Sequence, residues 1–321
     1  TRRPPLRPAF LGATVALKSK DLLGIQSLDE GELRVILDTA ANFGTVAARP
    51  VKKVPALRGK TVANLFYEPS TRTRISFELA AKRLSADFIN ITAATSSAAT
   101  GETLTDTAKT VEAMQVDFLV VRHSMAGAAH QLARQVECSV INAGDGPHEH
   151  PTQTLVDLYT IWEHRKRFEG LRIAILGDHP RSPVTISNIY GLKKMGAEVT
   201  LVGPSTLIPP GIDQLGVRVA TRLEDGIADA DVILLSRVEI TDANRLQIPS
   251  LREYARFYCL TPRRLELAAE DVLVLHSGSM NRGVEISPEV ADSAFPLMVQ
   301  QVTNGIAVRM AVLYLLAGER E

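Results

Sequence analysis

The sequence predicts an α/β protein made of two doubly wound parallel-sheet domains joined by an interdomain helix. Three observations predict it. Short apolar runs rich in Val, Ile and Leu recur along the chain, as strands buried on both faces require. Between them lie stretches whose apolar residues repeat at helical spacing. This alternation occurs twice, on either side of a helical segment that opens at Pro151, and a chain of 321 residues with 45% apolar composition can fill two cores.

In chain order, the periodicity predicts a helix over 28–43, a strand over 61–67, a helix over 73–84 and a strand over 88–92. Then come a helix over 104–114, a strand over 117–122, a helix over 126–135 and a strand over 139–143, which is the rhythm of βαβ units. Over 151–165, Leu155, Leu158, Tyr159 and Trp162 recur at helical spacing, and Pro151 suits the first helical position. That helix is expected to bridge the halves. Buried strands follow over 172–177, 198–203, 232–236 and 272–276, and a last amphipathic helix over 303–317. The organisation read from this is a mobile arm over 1–17, an anion-binding domain over 18–150, a second domain over 151–300, and a C-terminal helix over 301–321 packing back on the first.

Composition excludes several classes of function. Lys plus Arg and Asp plus Glu each total 36, so no global field draws nucleic acid or an anionic membrane, and any anion site must be a local cluster. No stretch of 18 or more apolar residues is present. Cys138 and Cys259 lack metal or redox spacing, which fits a reducing, cytoplasmic setting without a metal centre. The turn at Gly177-Asp178 lacks the glycine pattern of a dinucleotide site.

One segment carries most of the chemistry. In Phe-Tyr-Glu-Pro-Ser-Thr-Arg-Thr-Arg at 66–74, a strand breaks at a proline, and three hydroxyls and two guanidiniums follow where a helix starts. The free N–H groups of a first helical turn carry partial positive charge; Ser70, Thr71 and Thr73 add donors, and Arg72 can grip two phosphate oxygens. A phosphorylated small molecule fits this cradle. Other polar clusters also fall where strands end: Arg122 to Ser124, His148 to Gln153, Asp178 to Pro183, Arg237 to Glu239 and His276 to Arg282. Ligands of open α/β sheets bind at such ends. Arg122 suits a second phosphate or carbonyl contact, a neutral His150 suits polarising a carbonyl, and Gln153 both donates and accepts.

Ser-Thr-Arg-Thr-Arg at 70–74, Gly-Glu-Thr-Leu at 101–104, Val-Arg-His-Ser at 121–124, His-Pro-Thr-Gln at 150–153 and Asn-Arg-Gly-Val-Glu-Ile at 281–286 resemble the aspartate/ornithine carbamoyltransferase family, on its aspartate branch. The resemblance spans nearly the whole chain. It implies a homotrimer with active sites shared between subunits, no metal or organic cofactor, and carbamoyl phosphate and an amine acceptor as substrates. By that resemblance Ser70, Thr71, Arg72 and Thr73 bind the phosphate and Arg122 bridges phosphate and carbonyl. Thr73, Arg122 and His150 would stabilise the oxyanion, and Gln153 would orient the carbamoyl NH2.

The acceptor half departs from the family pattern. Thr100 stands where family chains carry a lysine that reaches the neighbouring active site. Pro183 stands where an arginine holds the acceptor's carboxylate, with Arg181 two residues upstream. Arg237-Val238-Glu239 replaces Arg-x-Gln, and His276-Ser277-Gly278-Ser279 replaces His-Pro-x-Pro. Lys to Thr, Arg to Pro and Gln to Glu each shift the charge by minus one, so the pocket loses three units. At an effective dielectric near 20, one unit pair about 4 Å apart is worth roughly 4 kcal/mol. The charge count therefore predicts an acceptor other than optimal aspartate, touching Arg237, Glu239, Arg181, Thr100, Ser277 and Gly278. Two alternatives stand beside it: an ordinary aspartate enzyme of pyrimidine biosynthesis with rerouted loops, and a catalytically silent structural or regulatory subunit.

Overall fold

The computed structural model describes residues 17–47, 49–92, 102–180, 182–241 and 245–318. All but the last residue of the expected N-terminal arm, as well as Thr100 and Arg181, lie outside these residues. The first half runs α1 (Glu30–Ala47), β1 (Thr61–Phe66), α2 (Thr71–Arg83), β2 (Asp87–Thr92), α3 (Leu104–Glu112), β3 (Phe118–His123), α4 (Ala128–Ala133) and β4 (Ser139–Asp145). After α5 (Pro151–Arg165) come β5 (Arg172–Leu176), α6 (Pro183–Lys194), β6 (Glu198–Val202), β7 (Arg218–Ala220), α7 (Leu223–Ile227) and β8 (Val232–Leu235). The chain continues with α8 (Leu251–Tyr258), α9 (Pro262–Leu265), β9 (Leu273–His276) and α10 (Pro288–Leu316).

The strands form two parallel sheets, ordered β2-β1-β3-β4 and β7-β6-β5-β8-β9. In each sheet the chain winds outward to one side and then returns to the other. The reversal falls between β1 and β3 in the first sheet and between β5 and β8 in the second. There neighbouring connections leave toward opposite faces and open a crevice at the strands' carboxyl ends. Register aligns Phe66 with Arg122 across the first reversal and Leu176 with Leu235 across the second. Gly177 lets the second crevice close tightly: its φ is +141°, and a Cβ there would come within 2.6 Å of Ser236 Cβ.

A single apolar cluster runs from Phe77 and Phe118, through Leu155 and Leu158 of α5, to Ile173 and Ile175 of β5, and includes Val308 and Leu313 of α10. Residues 151–161 of α5 are all buried, because α1, α6 and α10 cover that helix. A side chain such as Phe77, fully buried, contributes roughly 2–3 kcal/mol by leaving water.

Two elements differ from the periodicity. β7 is three residues long and two of them are exposed, so it has no apolar run to detect. The C-terminal helix starts at Pro288, not at 303, and continues through Pro296. Pro296 forfeits one backbone hydrogen bond, and the local pattern around it reads as a break. Packing of α10 against α1, α2, α5 and β9 offsets that loss. None of the helices among the described residues is long and apolar enough to cross a membrane.

His179, buried in the turn after β5, faces the Val202 carbonyl with Nε2 at 2.8 Å, and burial pushes its pKa down to about 4. As pH falls below the ordinary value near 6.5, the unfolded chain takes a proton that the native chain refuses until about pH 4, so stability drops by up to about 1.4 kcal/mol per pH unit over that window. His179→Gln is expected to flatten the acid limb of stability against pH by one proton. Urea unfolding at a series of pH values measures it, and an unchanged slope would contradict the assignment.

Candidate active site

The anion cradle forms at the first reversal point. β1 carries five consecutive buried residues to Phe66, and Tyr67 N–H then donates to the Arg122 carbonyl at 2.9 Å. The chain turns at Pro69, and α2 begins at Thr71, with Ser70 as an N-cap whose side chain makes no capping bond. The N–H groups of Thr71, Arg72 and Thr73 therefore face outward from the helix end. Thr73 is buried, whereas Thr71 and Arg72 are exposed. The Arg72 guanidinium reaches over the crevice and donates to the Gly278 carbonyl at 3.1 Å, so cradle and second half meet.

Arg122 leaves β3 toward the cradle. Its Nη1 donates to the Ala143 carbonyl at 2.8 Å, Nη2 lies 3.6 Å from Glu68, and Nε is buried without a hydrogen-bond partner among the described residues. Gly144 brings Arg122 beside His150. With φ +116°, it leaves out a Cβ that would sit 2.5 Å from Arg122 Nη1 and 3.4 Å from His150 Cδ2. His150 is buried; burial first, then the positive charges of Arg122 and Arg309, holds its pKa well below the ordinary range. The ring is thus neutral at physiological pH, with one N–H to donate. Its backbone N–H donates to Ser187 Oγ, which in turn donates to buried Glu149 at 2.7 Å.

Gln153 is oriented by a group that motif reading missed. Its Nε2 donates to Asp157 Oδ1 at 2.8 Å, one helical turn further along α5, which leaves Oε1 as the atom presented to the crevice. Asp157 is 2% exposed and also accepts from Gln301 Nε2 at 2.6 Å and Asn188 Nδ2 at 3.0 Å. Burial pushes its carboxyl up to about 6 against these three donors and the Arg72 charge. Gln301 Oε1 in turn accepts from His276 N–H at 3.3 Å, so one carboxylate ties Gln153 to the loop after β9. Arg309, stacked over Phe77 and donating to Gly305, completes the crevice wall shared with Arg72, Gln153 and Gln301. Burial, with repulsion from Arg72, lowers its pKa to about 9. Asp157 lies at i+4 from Gln153, a signal the sequence did contain; Gln301 and Arg309 are far along the chain and had none.

Of the expected acceptor residues, Arg237, Glu239, Ser277 and Gly278 are described, and they lie by the second reversal point. Arg237 forms an ion pair with Glu239 and donates from Nη1 to Ser279 Oγ at 3.1 Å. Ser277 N–H donates to the Leu235 carbonyl at 3.0 Å, and its hydroxyl lies 3.4 Å from Ser236 Oγ. Peptide bonds among the described residues are all trans, including those of 276–279. Pro183 starts α6 behind Ser182. The crevice thus brings together Ser70 to Thr73, Arg122, His150 and Gln153, with Ser277, Gly278, Arg237 and Glu239 on the facing side. Another surface depression lies at the amino ends of β1, β3 and β4, where parallel sheets do not place ligands.

The chain matches two family models: the aspartate/ornithine carbamoyltransferase carbamoyl-P binding domain over residues 20–163, and the Asp/Orn binding domain of the same family over 169–316. It is 53% identical to the aspartate carbamoyltransferase catalytic subunit of Syntrophotalea carbinolica over 95% of this chain and 97% of that one. The Syntrophus aciditrophicus catalytic subunit is 56% identical over 93% and 97%. Among solved structures, aspartate transcarbamoylase from Trypanosoma cruzi in complex with carbamoyl phosphate and aspartate superposes with a TM-score of 0.82 at 28% identity, covering 93% of this chain and 95% of that one. Ornithine carbamoyltransferase from Pyrococcus furiosus gives 0.84 at 29% identity, covering 95% and 100%.

Replacing Asp157 by Asn puts an NH2 where a carboxylate oxygen now faces amide donors. The expected loss is about 2 kcal/mol, since a buried polar group is left unsatisfied. Denaturant unfolding of Asp157→Asn checks it, and a variant as stable as the parent would show that the carboxylate is not the anchor.

Proposed function

The chain belongs to the aspartate/ornithine carbamoyltransferase family, and on that premise we propose that it transfers the carbamoyl group of carbamoyl phosphate to the amino group of L-aspartate. It is a carbamoyl-phosphate-dependent carbamoyltransferase. One observation carries the site reading: Gln153, held by Asp157, presents an amide oxygen beside a helix-end cradle. That pair suits a carbamoyl NH2 next to a phosphate. The choice of aspartate rests on relatives of 53–56% identity that are aspartate carbamoyltransferase catalytic subunits. It replaces the altered acceptor that the charge count favoured and the silent-subunit alternative.

In this reading Ser70, Thr71, Arg72 and Thr73 hold the phosphate, and Gln153 Oε1 accepts from the carbamoyl NH2. The acceptor nitrogen attacks the carbonyl carbon, and electrons move onto the carbonyl oxygen. Thr73, Arg122 and neutral His150 donate to that oxyanion. The oxyanion then collapses, the carbon–oxygen bond to phosphate breaks, and phosphate leaves with the amine proton. No separate protein base is required. Arg237 binds an acceptor carboxylate, with Ser277 and Gly278 lining the approach. The working unit is a homotrimer with its sites at subunit interfaces, in a reducing cytoplasm, a setting with which two free buried cysteines are consistent.

One observation favours a weak grip on aspartate: Glu239 already occupies the Arg237 guanidinium. Both side chains are nearly half exposed, 45% and 49%, so solvent screening cuts the competition to about 1 kcal/mol. The assay is turnover of carbamoyl phosphate with L-aspartate, L-ornithine and simple amines. Product with aspartate in the parent, none in Arg72→Ala, and a KM for aspartate lowered about fivefold in Glu239→Gln are expected. Turnover with another amine and none with aspartate would overturn the acceptor assignment.

A further inference from the structure

A second cluster of chemistry-bearing side chains lies on the outer side of the loop that delivers His150. It consists of His130 on α4, Asp145 at the end of β4, and His148 in the turn before α5. One potential ligand atom from each lies within 4.8 Å of the other two. The reaction described above uses none of them. We propose that His130, Asp145 and His148 form a zinc site that clamps α4 to the β4–α5 loop.

Three observations carry this. First, the donor set of two imidazoles and one carboxylate suits a borderline divalent ion, with zinc the best fit among common ones. Second, His130 Nδ1 is buried without a hydrogen-bond partner among the described residues, although the His148 ring lies edge-on to it at 5.3 Å between centroids. A buried ring nitrogen left unpartnered on a histidine beside a carboxylate and a second imidazole suits a metal ligand. Third, the carboxylate is already aimed. Asp145 is 1% exposed; its Oδ1 accepts from Asn142 Nδ2 at 2.8 Å and Glu149 N–H at 3.1 Å, and its Oδ2 from Gly127 N–H at 2.8 Å. Such outer donors orient a ligating carboxylate; here they leave one lone pair on Oδ2, the oxygen that His148 Nδ1 faces.

The geometry needs little adjustment. A tetrahedral zinc with bonds near 2.0–2.1 Å holds its ligand atoms about 3.4 Å apart. His148 Nδ1 already lies 2.9 Å from Asp145 Oδ2, and its side chain is 34% exposed, free to turn. His130 then closes by a shift of at most about 1.4 Å, from within 4.8 Å to about 3.4 Å, and water completes the coordination. Gly127 N–H, at the start of α4, is bound to the same carboxylate, so α4 and the loop are already registered. Zinc would make that junction rigid two residues before His150.

Chain purified in the presence of a chelator and then titrated with zinc chloride tests the site. One zinc per chain is expected by competition with a chromophoric chelator, together with a zinc-dependent rise in the thermal midpoint by mass action. His130→Asn and His148→Asn should each weaken binding at least tenfold and remove the thermal shift, while the metal-free midpoint stays near that of the parent. Cobalt in the unsubstituted chain should give the visible bands of a four- or five-coordinate site, which needs no variant to fold. Substoichiometric zinc, uptake unchanged in both variants, or an octahedral cobalt spectrum would each overturn the proposal.

Discussion

The buried carboxylate of Asp157 is the constraint on which the candidate site depends. It is almost wholly removed from water, a state a charged group tolerates only when its lone pairs are taken up. Gln153, Gln301 and Asn188 supply that compensation from three different helices. Each amide is thereby fixed in a single orientation, because its NH2 must face the carboxylate. For Gln153 this presents an acceptor to the crevice, and for Gln301 it leaves an oxygen for the backbone of His276. One charge therefore positions a group on the cradle side and a loop on the acceptor side.

Sheet topology then decides where that charge acts. Both sheets reverse their winding once, and the chemistry-bearing residues sit at those reversals: Ser70 to Thr73 with Arg122 in the first, Ser236 and Arg237 in the second. The helix α5, buried along most of its length, sets the two crevices edge to edge. The contact from Arg72 to the Gly278 carbonyl spans what remains of the gap. An anion seated on α2 would compete for that guanidinium.

The α/β class and most strand positions were legible in the chain because buried parallel strands leave apolar runs bounded by glycine or polar residues. The strand order was not, since nothing in a single sequence states which run pairs with which. The cradle was legible because its residues are contiguous, from Pro69 to Arg74. The wall formed by Gln301 and Arg309 was hidden: its residues lie on α10, far from 153 in sequence, and Gln301 stands among the polar residues Gln300, Thr303 and Asn304, ahead of the helix read from periodicity. β7 and the first turns of α10 escaped because an exposed edge strand and a proline-bearing helix carry the weakest periodicity. The acceptor side was legible as residue types but not as pairings; the ion pair of Arg237 with Glu239 joins a cation the charge count treated as available to an anion it treated as repulsive.

A crystal structure with carbamoyl phosphate or a non-hydrolysable analogue bound would show whether Asp157 holds Gln153 for the ligand. Phosphate is expected on the N–H groups of Thr71 to Thr73, the carbonyl oxygen facing Arg122 and His150, and the carbamoyl NH2 donating to Gln153 Oε1 while Gln153 Nε2 stays on Asp157. A Gln153 amide that leaves Asp157 when the ligand binds, or a phosphate seated away from the start of α2, would contradict that arrangement.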